Sequence, residues 1–203
     1  GDEAGTAITT GDNNTAFGKS ALATVTTAGD NTAVGNAALR ENTSGESNTA
    51  VGKSALITNT VANRNVAVGR NSLSAVNQAS ALNTYNVAMG YDSGKAVTTG
   101  FENTLIGGFA GGALTDADYN LAVGYLALAN DTLGSRSTAI GRSALAAQNF
   151  TSATDAYNTA VGFNAGTAVT TGTINTLIGG LSGDSLTTGN NNVAVGVNSL
   201  TTD

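Results

Sequence analysis

The chain has 203 residues, a formal charge of −6, and no Cys, His, Pro or Trp. These absences exclude disulfides, most transition-metal sites and catalysis built on His or Cys. With 27 Gly and only 5% aromatic residues, one thick core of large side chains is excluded too. Only 11% of residues are charged, yet the chain is rich in Thr, Val and Ile, which is not the composition of a disordered segment. No apolar run is long enough to span a membrane as a helix. The eight basic residues are scattered along the chain, so nucleic acid is not an expected partner.

The first recognisable element is Ala4-Gly5-Thr6-Ala7-Ile8-Thr9-Thr10-Gly11, which matches Ala165-Gly166-Thr167-Ala168-Val169-Thr170-Thr171-Gly172 and reads as the second half of a coil. A five-residue phrase, Asn-Thr-Ala-Val-Gly or a close variant, then begins at Asn14, Asn31, Asn48, Asn65, Asn86, Asn103, Asn120, Ser137, Asn158, Asn175 and Asn192. The steps are 17 residues, except for two of 21 after Asn65 and Ser137. A longer period of 72 residues returns Asn103-Thr104-Leu105-Ile106-Gly107-Gly108 as Asn175-Thr176-Leu177-Ile178-Gly179-Gly180. The chain stops after Leu200-Thr201-Thr202-Asp203, again inside a turn, so both ends read as cut within a coil. Residues 1–203 form one repeat rod with eleven motif-bearing coils.

Each position of the phrase has a physical reading. Asn stacked on Asn predicts an amide ladder along the rod. The third position is Ala except at Leu105 and Leu177, and the fourth is apolar throughout, from Phe17 to Val195. The fifth is always Gly, as expected where the chain turns with positive φ or passes close to another backbone. A second apolar segment follows, as in Ser20-Ala21-Leu22. Where Gly replaces that Leu, an apolar residue appears three positions later, at Val97, Leu114, Val169 and Leu186. A polar turn closes the coil. No 3.6-residue period is sustained, so the fold class is all-β: a parallel β-solenoid or β-roll of 17- and 21-residue coils.

Neither face of the first strand carries charge. The second and fourth positions lie on one face and the third on the other, and a strand that is small or apolar on both faces is buried on both. The coil's own interior fills one. The other is expected to meet two further copies around a three-fold axis, with the Ala face toward the axis because Ala permits close approach.

The phrases Asn31-Thr32-Ala33-Val34-Gly35-Asn36-Ala37-Ala38-Leu39 and their copies resemble the Asn-Ser-Val-Ala-Ile-Gly repeats of YadA-type trimeric autotransporter adhesin heads. The version with Thr-Thr-Gly before the next motif is closer to repeats of phage tail fibres and related marine bacterial surface proteins. The resemblance covers residues 4–202, and the coils here are longer than the family's. It implies a left-handed β-roll, intertwined or packed as a homotrimer, and an extracellular place on a virion tail fibre or a bacterial surface. The implied function is a structural and attachment segment of a trimeric tail fibre that presents or contributes to host receptor binding. The head of a bacterial surface adhesin is the alternative.

A carbohydrate-active enzyme on a β-solenoid forms a third class. It would need clustered carboxylates, whereas Asp12, Asp30, Glu46, Glu102 and Asp118 sit in scattered turns. No enzyme and no cofactor are therefore expected. Gly18-Lys19-Ser20 and Gly52-Lys53-Ser54 resemble phosphate-loop fragments but lack the preceding Gly. Asp116-Ala117-Asp118-Tyr119-Asn120 begins like a calcium loop, but Leu121 stands where Gly is needed, and the segment reads as a polar turn.

Candidate contacts with a host glycan or protein come from two places. Tyr85 and Tyr91, Tyr119 and Tyr125, and Tyr157 and Phe163 flank three motif copies, six residues apart. They read either as a track for sugar rings or as packing across the trimer seam or over a turn. The two 21-residue coils hold extra residues within Val76–Tyr85 and Gln148–Tyr157, which predicts bulges at matching positions and adds Asn77, Gln78 and Phe150.

Overall fold

The computed structural model describes residues 1–201, and among them there is no helix. Thirteen short strands follow in order: β1 (Thr15–Phe17), β2 (Thr32–Val34), β3 (Thr49–Val51), β4 (Val66–Val68), β5 (Val87–Met89), β6 (Thr104–Ile106), β7 (Leu121–Val123), β8 (Gly134–Ser135), β9 (Thr138–Ile140), β10 (Thr154–Asp155), β11 (Thr159–Val161), β12 (Thr176–Ile178) and β13 (Val193–Val195). All but β8 and β10 belong to one eleven-stranded parallel sheet, in chain order. Like stands beside like in the register: Thr32 pairs with Thr49, Ala33 with Ala50 and Val34 with Val51. The chain is a parallel β-solenoid of eleven strand-bearing turns.

The strands are short because the backbone turns at both ends. The motif Gly has positive φ, 134° at Gly52. A Cβ there would lie 2.5 Å from the Gly69 carbonyl oxygen of the next coil, so the glycines stack backbone on backbone. On the other side the residue before the motif is also left-handed, with φ of 58° at Ser47 and 61° at Arg64. Two more corners per coil are left-handed, as at Ser54 (59°) and Leu56 (50°). Side chains at such corners cost roughly 1–2 kcal/mol each, offset here by burial: Leu22, Leu39, Leu56, Leu73, Leu128 and Leu145 are fully buried.

The expected assignment of the two strand faces is reversed. The Ala row points inward: Ala33, Ala50, Ala67, Ala88, Ala122, Ala139 and Ala160 are all 0% exposed. Within a thin coil the inward row faces the opposite wall, and Ala fits that gap. The Thr/Val and Val/Ile rows point outward and are half-exposed or exposed. It is the second and fourth positions that an interface would cover.

Leu105 and Leu177, which break the Ala row, are accommodated by glycine elsewhere. A Cβ at Gly94 or Gly111 would lie 2.7 or 2.6 Å from a Leu105 methyl, and Gly166 and Gly183 stand in the same relation to Leu177. One large side chain thus occupies the space of two Leu corners, and Val97, Leu114 and Val169 complete the layer, all 0% exposed. Such volume-conserving exchange keeps the core filled without strain.

The Asn ladder is present. The Asn48 N–H donates to Asn31 Oδ1 at 3.0 Å, and Asn48 Nδ2 donates to the same oxygen and to the Ala62 carbonyl. Asn65, Asn103, Asn175 and Asn192 repeat the double donation to the preceding Asn. Among the described residues no buried side-chain N or O lacks a partner.

Candidate functional site

Because each coil adds one layer, residues at equal repeat positions form rows along the rod. The position just before the motif carries Asn13, Asp30, Ser47, Arg64, Tyr85, Glu102, Tyr119, Arg136, Tyr157, Ile174 and Asn191. The position just after the motif Gly carries Lys19, Asn36, Lys53, Arg70, Tyr91, Gly108, Tyr125, Arg142, Phe163, Gly180 and Val197. The rows run on either side of the outward face of the large sheet. All six aromatic residues expected here are substantially exposed, from 39% at Tyr119 to 52% at Tyr157. The strand does not run through from one row to the other, since a left-handed corner and a Gly intervene.

Within each row every arginine stands next to an aromatic ring, and Glu102 or Gly108 separates the two middle rings. In the first, Arg64 Nη1 donates to the Tyr85 hydroxyl at 2.6 Å. The Arg136 guanidinium lies 4.7 Å from the Tyr119 ring centre and 5.8 Å from that of Tyr157. Phe101 meets Tyr119 edge to face at 5.1 Å. In the second row Arg70 stacks on Tyr91 at 5.5 Å, Phe109 bridges Tyr91 and Tyr125 at 5.3 and 6.0 Å, and Arg142 spans Tyr125 and Phe163 at 5.9 and 5.6 Å. These contacts run along the rod within one chain. They hold the rings upright through cation–π and edge contacts.

The basic residues are not scattered once the coils stack. Lys19, Lys53, Arg64, Arg70, Arg136 and Arg142 all belong to these two rows, leaving only Arg40 and Lys95 elsewhere. Only Asp30 and Glu102 of the acidic residues occupy row positions. Among the described residues Arg136 makes an ion pair, with Asp155 at 3.0 Å, and that hydrogen bond raises its pKa further. Arg64, Arg70 and Arg142 have no carboxylate partner among the described residues. The four arginines and Phe101 and Phe109 went unnoticed as site residues in the sequence. Aligning the repeat by position, rather than looking for aromatic pairs, is the signal that finds the arginines.

The two long coils treat their extra residues differently. In the first, residues 79–83 are all exposed, with Leu82 at 44%. Asn77 is exposed and its Oδ1 accepts from Thr60 Oγ1 at 2.9 Å, while Gln78 is half-buried and its Nε2 donates to the Thr99 carbonyl at 2.8 Å. In the second, Phe150 is buried, 6% exposed, and is not available as a contact residue. A Cβ at Gly134 would meet its ring at 2.7 Å, so the missing side chain makes room for it. Asp118, in the turn below, has its pKa raised, chiefly by burial and against the Phe101 N–H that hydrogen-bonds to it.

Among the described residues no group of three or more acidic side chains is placed to hold a metal ion. No family model, no curated protein and no solved structure matches the chain.

Proposed function

We propose that this chain is a structural and attachment segment of an extracellular trimeric fibre of the phage tail-fibre type, which holds a receptor-binding surface away from its base and contributes to host contact. In this reading three left-handed β-rolls of 17- and 21-residue coils pack along one axis. The observation that carries it is the outward face of the eleven-stranded sheet. Val34, Val51, Val68, Met89, Ile106, Val123, Ile140, Val161 and Ile178 form an unbroken, half-exposed to exposed apolar row from coil to coil. A monomer rarely leaves a patch of that length in water, and two further copies of the same face are its simplest cover.

Native mass spectrometry tests this. The expected species has three times the 19.9 kDa chain mass. Val51→Asp with Val161→Asp should release folded monomers, because these side chains point outward. A stable monomeric wild type overturns the trimer, and a dimer overturns its symmetry.

A further inference from the structure

We propose that the two arginine–aromatic rows form a binding surface for a carboxylated polysaccharide. Both rows are built within one chain and flank the face that the proposed trimer covers, so the inference rests on that reading with the flanks left open to solvent.

The first argument is charge. On a protein of net charge −6, six of the eight basic residues lie on the flanks of one sheet face. Arg64, Arg70 and Arg142 point into solvent with no carboxylate partner among the described residues. Arg64 and Arg70 each commit Nη1 to a Tyr hydroxyl, which leaves the other guanidinium N–H groups for a carboxylate, a group that the planar fork matches. The second argument is shape. Tyr85, Tyr91, Tyr119, Tyr125, Tyr157 and Phe163 are exposed by 39% to 52% and braced by their neighbours. Braced, half-exposed rings offer flat apolar faces to the C–H faces of sugar rings at little entropic cost.

The third argument is spacing. The pair Arg64 and Arg70 recurs as Arg136 and Arg142, four coils on, with aromatic pairs in the coils beside it. At about 4.8 Å per coil, charged steps fall roughly 19 Å apart. A nucleic acid carries a charge about every 3.4 Å along each strand, so most of its phosphates would find no cation and would meet an acidic protein. A sugar chain with intermittent carboxylates fits both the rings and the spacing.

The test uses the full chain and three probes: deacylated gellan, whose carboxylates are intermittent, neutral dextran and single-stranded poly(dT), measured by affinity electrophoresis and calorimetry in low salt. Gellan should bind and dextran should not. The triple variant Arg64→Gln, Arg70→Gln, Arg142→Gln should weaken binding at least tenfold, as should Tyr91→Ala with Tyr125→Ala. Arg40→Gln, off the rows, should leave it unchanged. Native mass on the same samples reports assembly separately, so loss of the trimer is not mistaken for loss of the site. Absence of gellan binding overturns the proposal. So does equal weakening by the off-row variant, equal binding of dextran, or tighter binding of poly(dT).

Discussion

The coils that begin at Asn65 and Ser137 carry insertions of the same length at the same place, yet one insertion is draped on the rod and the other is built into it. Both thin the Asn ladder at its side-chain amides: Asn86 keeps its N–H donation to Asn65 Oδ1 while its amide goes to the Gly100 carbonyl, and Ser137, with no side-chain amide, donates only its N–H to Asn120 Oδ1. In the first, buried Thr84 repairs the gap by donating to Asn65 Oδ1 at 2.7 Å, and a single bridge ties Asn83 to Asn63. In the second, Ser137 is too short for the ladder, and Gln148 turns inward to replace it. Its Nε2 donates to Asp131 Oδ2 at 2.6 Å and to Ser137 Oγ at 3.0 Å, and its Oε1 accepts from Asn158 Nδ2 at 2.8 Å. Asp131, fully buried, also accepts from the N–H groups of Gly134 and Phe150. The β8–β10 pairing then fixes the loop. An insertion of given length is tolerated either by leaving it in water or by supplying a complete set of buried partners.

The largest expected effect ignores this difference. Gly52→Val and Gly162→Val should each cost about 3–5 kcal/mol, since both combine left-handed strain with overpacking. Thermal unfolding checks it, and a tolerated substitution in either coil would mean the coils do not share one backbone. Next, Phe150→Ala should cost about 3 kcal/mol or more, whereas Leu82→Ala, on the exposed loop, should stay within about 0.5 kcal/mol. Equal losses in denaturant titrations would erase the contrast.

Gln148→Leu removes the partner of three buried polar groups and should cost about 2–3 kcal/mol, while Gln78→Leu should cost about 0.5 kcal/mol or less. Deleting Ala79–Leu82 should leave the melting temperature nearly unchanged and abolish the preferred proteolytic nick, which is expected within 79–83. The smallest effect concerns Asp118 beneath the anchored loop. Its folded pKa lies above the ordinary 3.8, so its contribution is complete below that value and is lost as pH rises through the folded pKa. Asp118→Asn should therefore raise stability slightly at neutral pH and not in acid, as seen in melting curves across pH 3 to 7.

The exposed receptor-contact candidates were legible in part. Tyr85, Tyr91, Tyr119, Tyr125, Tyr157 and Phe163 stood out because aromatics are rare in this chain. Phe150 was misplaced because an aromatic residue in a loop looks alike from the sequence whether it faces water or a pocket. The pocket is made by Gly134 and Asp131, one coil away.

By itself the sequence determined the coil period, the absence of helix, the stacking of the motif Gly and the Asn ladder. All four follow from repeating one local choice eleven times, and each needs only the identical residue in the next layer. Which strand face turns inward was decided only by tertiary structure, because Ala, Thr and Val are each compatible with an interior or an interface, and only the width of the closed coil selects Ala. The left-handed Leu corners were likewise invisible: φ near 50° at Leu56 contradicts local preference and persists only because the side chain is buried by the coils above and below. The gathering of basic residues into two rows came the same way, since residues distant along the chain become neighbours only when the solenoid stacks them.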